Sequence, residues 1–256
     1  LGLAALFGVP LLGKLYVAGA ATGFLGLILR GIVAGICLLP PTVLMGAAFP
    51  AVSRYVGISK LGLLYSTNIA GAVVGALVAG FYLLKEFDMA VTTYAAVAIN
   101  IVACVLAWVL SKTWAYEPSK ASASSSMKPS QVILAVTAMS GLTALGAEVV
   151  WTRLLSLLLG ATVYTFSIIL AVFLVGLWGG SAAGSSIARR SSNARVPLAY
   201  CQILLAASVA WTGYTVSHSL PYWPVDPWLS INPWFNFELD LARTLWAILP
   251  ATLLWG

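Results

Sequence analysis

Two ionisable residues, Glu148 and Arg153, lie inside one apolar stretch that runs from Gln131 to Leu159. A stretch of about 29 residues exceeds the roughly 20 apolar residues that a helix needs to cross a bilayer. A charged side chain at that depth costs at least ~2.5 kcal/mol unless it faces protein or water. At 100° per residue the two side chains point about 140° apart, so they do not meet on one helix. Each needs a partner on another helix, which predicts a central position for this segment.

Asn68 completes the predicted intramembrane polar cluster, because it lies a few residues inside another apolar run. Two interpretations stay open for the cluster. Glu148, Arg153 and Asn68 could form an interhelical hydrogen-bonded network that fixes helix register, or Glu148 could titrate or hold a cation in a cavity, as in transporters. No nucleophile and base are arranged together, so catalysis is not predicted.

The composition is that of an all-α, polytopic transmembrane protein. Of the 256 residues 61% are hydrophobic and only 8% are charged, against about 25% charged in soluble domains. The net charge of +6 is attributed to basic residues that set the orientation of the chain in the membrane, and nucleic acid is not an expected partner. Three cysteines without a C-x-x-C pair and one histidine, His218, predict neither a disulfide framework nor a metal site or other cofactor.

Seven or eight membrane segments are predicted, and the first and last are expected to be truncated because the chain opens and closes within apolar sequence. Lys14 to Arg30 is either an interfacial helix or part of a span. Pro40 and Pro41 should kink the segment that contains them, because proline removes a backbone donor. The apolar runs cover residues 1–12, 31–52, 61–84, 89–114, 131–159, 162–188, 196–220 and 241–256.

A Ser/Pro/Lys-rich linker, residues 115–130, divides the chain into a first membrane half, 1–114, and a second, 131–256. Eight of the 13 Lys and Arg residues lie in alternate loops that include this linker. The positive-inside rule therefore places the linker in the cytoplasm and residues 221–240 outside. The halves share a repeat, since Leu39–Gly46 matches Leu249–Gly256 at five of eight positions, as in transporters built from related halves.

Small residues one helical turn apart predict close helix packing, with a hinge or a substrate path as the alternative. They form two stripes, Gly71 with Gly75, and Gly176 with Gly180 and Gly184.

An aromatic and acidic loop follows the seventh run. Its four prolines exclude a regular helix over residues 221–234, and Trp223, Asp226, Trp228 and Trp234 are its candidate binding residues. Tryptophans beside carboxylates could bind a polyamine through cation–π contacts. They could equally form an aromatic belt at the outer membrane interface.

Three passages resemble the membrane region of the spermidine synthase-like proteins, in which a major-facilitator-like helical domain is joined to an aminopropyltransferase-like domain. They are Leu39–Pro50, Gly62–Gly75 and Gly146–Leu155 with its continuation to Gly180. The resemblance implies a multi-pass domain of a bacterial inner membrane and supplies no substrate. The soluble catalytic domain is not in this sequence, so the chain is not expected to be an enzyme.

Two functions follow as expectations. One is a transporter-like membrane domain whose unknown solute could be cationic. The other is a non-catalytic accessory subunit that contacts the lipid bilayer and other membrane subunits. A water-accessible cavity around Glu148 would favour the first, and a dry core with covered outer faces would favour the second.

Overall fold

The computed structural model describes residues 24–53, 61–113, 131–191, 195–223, 228 and 232–256. Every regular element in these ranges is helical, which confirms the all-α prediction. The long helices are α1 (Phe24–Ser53), α2 (Leu61–Val78), α3 (Met89–Thr113), α4 (Gln131–Leu159), α5 (Val163–Arg190), α6 (Arg195–Tyr214) and α7 (Pro233–Trp255). Two of them continue into π-helical turns, α2 into Ala79–Leu83 and α6 into Thr215–Ser219.

Five helices among the described residues are long and apolar enough to cross a membrane, or six if the bent α1 counts as one span. The chain is therefore a multi-pass helical membrane protein. The predicted first run, residues 1–12, lies outside the described residues. The predicted last run belongs to α7, which is not among the candidate spans. Its first half carries Glu238, Asp240 and Arg243, so only its second half is continuously apolar.

Helix α1 is bent by 42° between Gly26–Ile36 and Leu38–Val52. Pro40 and Pro41 lie one turn beyond the bend and cannot donate to the carbonyls four residues earlier. Those carbonyls belong to Ile36 and Cys37, which is where the helix changes direction. The helix also begins at Phe24, several residues before the predicted start of the run at residue 31.

The chain divides into two compact units. One is Leu1–Leu61 with Leu83–Ser122, and the other is Gly62–Tyr82 with Ala123–Gly256. Residues 62–82 belong to the second unit, whereas the prediction put them in the first membrane half. The predicted linker, 115–130, lies outside the described residues. Within the first unit, all residues of α3 are described and none is buried. Asp88 caps the N-terminus of that helix, because its Oδ1 accepts from the Val91 N–H at 2.8 Å.

The core of the second unit lies between α4, α5, α6 and α7. Its fully buried apolar side chains include Leu155, Ile168 and Ile248. Gly160, at φ +100°, ends α4 in the left-handed region. Thr162 then caps α5, because its Oγ1 accepts from the Thr165 N–H at 3.1 Å.

The predicted outer loop, residues 221–240, is wrong in its second part, because α7 already begins at Pro233. A proline is compatible with the first position of a helix, where no backbone donor is needed. Asn232 caps the helix, since its Oδ1 accepts from the Trp234 N–H at 3.0 Å. Part of the preceding segment is also helical, because Leu220–Tyr222 forms a short 3-10 turn.

Candidate functional site

One close helix contact in the second unit joins α5 to the end of α7. A side chain at Gly176 would overlap Thr252, and one at Gly180 would overlap the Leu253 carbonyl and Gly256. The absence of a Cβ at these two positions lets the helices approach. Gly179 extends the contact, because a Cβ there would lie 3.1 Å from the Leu253 side chain.

The remaining predicted glycines have open surroundings. A Cβ at Gly71, Gly75 or Gly184 would meet no described atom within 4 Å. A close approach that the sequence did not single out occurs at Gly80, where a Cβ would overlap the Ser167 side chain. Gly80 lies in the π-helical turn that follows α2.

Helices α6 and α7 are joined by side-chain hydrogen bonds at a proline. Pro250 has no N–H, so the carbonyl of Trp246 lacks its usual partner within α7. The Trp211 Nε1–H of α6 donates to that carbonyl at 3.1 Å. The neighbouring Thr212 Oγ1 donates to the Ala247 carbonyl at 2.7 Å, and its side chain is fully buried. Adjacent donors on α6 thus satisfy carbonyls near the proline.

Replacing Thr212 with valine is expected to destabilise the α6–α7 contact by about 1 kcal/mol, because interhelical hydrogen bonds in membranes contribute roughly 0.6–1.7 kcal/mol. Valine keeps the branched shape and removes the donor. The measurement is thermal unfolding of the purified chain in mild detergent. Thr93→Val is the matched control, because Thr93 bonds only to the Met89 carbonyl of its own helix, at 2.7 Å. Equal midpoints for the two variants would contradict the expectation.

The predicted polar cluster is not assembled among the described residues. Glu148 is half-buried on the side of α4 that carries Trp151 and Leu155, whereas Arg153 and Asn68 are exposed. No hydrogen bond or ion pair joins any two of the three in the described part of the chain. The sequence argument that Glu148 and Arg153 point in different directions agrees with their different exposure.

The two charges of α4 differ in depth. Glu148 lies 11 residues before the end of the helix at Leu159, which is about 16 Å at 1.5 Å per residue. Arg153 lies six residues before that end, about 9 Å away. A long arginine side chain can extend toward the interface from there. The glutamate side chain is short and Glu148 lies near mid-span. Its carboxylate therefore depends on a partner within the membrane more than the Arg153 guanidinium does.

A polar and aromatic cluster that sequence analysis missed lies where α5 and α7 begin. Phe81, Tyr164 and Phe237 are in mutual ring contact, with centroids 4.7 to 6.0 Å apart. One turn along α7, the Arg243 Nη1 lies 3.8 Å from the Asp240 Oδ1, and both side chains are largely buried. The only sequence signal was the Asp-x-x-Arg spacing, which places the two on one helix face.

The contact between Asp240 and Arg243 does not use every polar atom of the pair. The Arg243 Nε is buried and has no hydrogen-bond partner among the described residues. Burial raises the pKa of the Asp240 carboxyl, and the Arg243 guanidinium opposes that shift. Asp240 precedes the apolar half of α7 and lies outside the candidate spans.

Three of the four predicted outer binding residues, Trp223, Trp228 and Trp234, lie among the described residues. The Trp223 Nε1–H donates to the Ser219 Oγ at 3.1 Å. Trp228 and Trp234 are 84% and 73% exposed, and Asp226 lies outside the described residues. Both the polyamine-binding and the aromatic-belt interpretations stay predictions.

His218 contacts residues that are close to it in sequence. Its Nδ1 lies 2.6 Å from the Ser217 Oγ, and its ring stacks on Tyr214 with centroids 5.6 Å apart. The described residues contain no group of three His, Cys, Asp or Glu that could hold a metal ion.

Two grooves of the second unit are almost entirely apolar. One, of about 650 Å³, lies along α7 and is walled by Trp211, Trp223 and Trp246. The other, of about 290 Å³, lies beside Trp151 and Thr212. Neither is lined by Glu148, Arg153 or Asn68. Their apolar lining suits hydrocarbon rather than a polar solute.

No family model, no curated protein and no solved structure matches this chain.

Proposed function

We propose that this chain is a non-catalytic helical subunit that docks onto another membrane polypeptide through the charged side of α4. The observation that carries the proposal is the state of Glu148, a mid-span carboxylate without a partner in the described part of the chain. A mid-helix charge in lipid costs at least ~2.5 kcal/mol. A second polypeptide that supplies a cation or hydrogen-bond donors removes that cost.

The packing of the second unit supports docking rather than passage of a polar solute. Side chains from three helices fill its centre, with Leu155, Ile168 and Ala251 fully buried. Buried hydroxyl groups in the described core bond to backbone carbonyls, as Ser181 does to Leu177 at 2.7 Å and Thr244 does to Asp240 at 2.7 Å. These hydroxyl donors are therefore already occupied within the protein.

The cellular setting is part of the same proposal. The resemblance to spermidine synthase-like proteins supports a place in a bacterial inner membrane, with residues 115–130 in the cytoplasm. The catalytic domain of that family would then belong to another polypeptide or another part of the protein.

A transporter-like domain is the second candidate, and one observation favours it. Glu148 is half-buried at the edge of the α4 face that carries the core residues Trp151 and Leu155. In an assembled transporter such a carboxylate would face a pathway for protons or a cationic solute.

Purification from native membranes in mild detergent tests the proposal. We expect at least one other membrane polypeptide to co-purify in fixed ratio with the chain, and Glu148→Gln to reduce that ratio. Glu86→Gln is the control, because Glu86 is exposed at the end of a span and contacts only Lys85, at 3.8 Å. A chain that purifies alone, with proton-coupled uptake lost in Glu148→Gln, would instead support the transporter-like domain.

A further inference from the structure

The larger groove of the second unit follows the apolar half of α7. Its lining on that helix begins at Ala242, beside Arg243, and ends at Leu253. The 11 residue steps between Ala242 and Leu253 cover about 16 Å at 1.5 Å per residue. This length is about half of the roughly 30 Å hydrocarbon core of a bilayer. The groove is therefore about as long as one leaflet is deep, and Arg243 marks the end at which the charged first part of α7 stops.

Two walls of the groove are indoles that hydrogen bonds hold in place. The Trp211 Nε1–H donates at 3.1 Å to the Trp246 carbonyl, which Pro250 leaves free within α7. The rings of Trp211 and Trp246 meet edge to face, with centroids 5.3 Å apart. The Trp223 Nε1–H donates to the Ser219 Oγ at 3.1 Å. Both anchored indoles thus use their polar atom within the protein, and their carbon surface is left to line the groove.

The groove has the properties of a binding site for a hydrocarbon chain. Its volume of about 650 Å³ lies within the roughly 300–1,000 Å³ of small-molecule sites, which are mostly apolar and largely pre-formed. A flexible chain in the groove contacts protein atoms on several sides, whereas lipid beside a smooth helix surface contacts them on one side, so the groove offers more dispersion attraction. A polar solute would lose hydrogen bonds there, because the lining is almost entirely apolar.

We propose that this groove binds one acyl chain of a membrane phospholipid, with the headgroup at the Ala242 end. The headgroup would lie where α7 carries its charged residues, since charged side chains near helix ends reach the membrane interface rather than hydrocarbon. The acyl chain would then run past Trp246 toward Leu253. The inference does not involve Glu148, and it goes beyond the proposed docking function by adding a lipid ligand.

Tryptophan fluorescence of the full chain in dodecyl maltoside tests this proposal. The probe is phosphatidylcholine with a dibrominated stearoyl chain, whose bromines quench the indoles that they contact. Three of the ten tryptophans line the groove, Trp211, Trp223 and Trp246. We expect a saturable component of quenching at low lipid fraction, which unbrominated phosphatidylcholine reverses. Quenching that only rises in proportion to the lipid fraction would overturn the proposal, and a groove filled by another segment of this chain would give that result.

Ala242→Phe makes the test specific to the groove. Ala242 is exposed, so phenylalanine there fills the headgroup end of the groove without changing the core. We expect the half-saturating lipid fraction to rise about tenfold, an effect within the range of overpacked apolar contacts. Ala206→Phe is the matched control and should leave that fraction unchanged, because Ala206 is exposed on α6 and does not line the groove. Equal half-saturating fractions for the two variants would also overturn the proposal.

Discussion

Gly180→Leu is expected to separate α5 from α7 and to destabilise the second unit by about 3 kcal/mol or more, at the upper end of overpacking costs. The new side chain would overlap the Leu253 carbonyl and Gly256. Both are backbone, so neither can rotate away as a flexible side chain could. Membrane helices associate largely through close van der Waals packing. Separating α5 from α7 would therefore remove most of the stabilisation that their contact provides.

The measurement for Gly180→Leu is the thermal midpoint in detergent, together with the rate of tryptic cleavage. Gly184→Leu is the matched control, one turn further along α5, where a Cβ meets no described atom within 4 Å. Both substitutions gain about 1 kcal/mol of helix propensity, so the difference between them isolates packing. A Gly180→Leu midpoint equal to that of the control would refute the α5–α7 contact.

Glu148→Lys is expected to release the docked polypeptide, lowering its co-purified amount by about tenfold or more. Disrupting a buried, hydrogen-bonded charge pair costs roughly 2–5 kcal/mol, and 1.4 kcal/mol corresponds to a factor of ten. Reversal of the charge adds repulsion to the lost attraction. The quantity measured is the ratio of partner to chain after purification from native membranes in mild detergent.

Two controls separate docking from misfolding. Glu86→Lys makes the same change of charge at an exposed helix end and should leave the ratio unchanged. The thermal midpoint of the isolated Glu148→Lys chain reports whether the α4 contacts near Trp151 survive. An unchanged ratio in a folded Glu148→Lys chain would show that this carboxylate does not contact the partner.

Sequence patterns predicted the features that depend on local chemistry. The apolar runs predicted helices, and paired prolines without backbone donors predicted the bend of α1. The start of α7 was misplaced because the four prolines of residues 221–234 suggested a loop. Pro233 instead occupies the first helical position after the Asn232 cap, an arrangement that sequence alone does not distinguish from a turn.

Features that depend on tertiary contacts could not be read from spacing. Gly176 and Gly71 both belong to glycine pairs four residues apart, yet only the first is in contact with another described helix. The difference depends on which helix lies opposite, and α7 offers Thr252 at the required place. The Asp240–Arg243 pair was missed because Asp240 was assigned to the loop and Arg243 to the apolar run that follows it, rather than both to one face of α7.

Photo-cross-linking from position 145 of α4 in native membranes tests the central claim most directly. Leu145 is 64% exposed and lies one turn before Glu148, about 60° from it around the helix, so a benzophenone amino acid there reports what covers that side of the helix. The proposed docking predicts a cross-link to one other membrane polypeptide, which disappears in the Glu148→Lys background. Adducts with lipid alone, unchanged by Glu148→Lys, would contradict it.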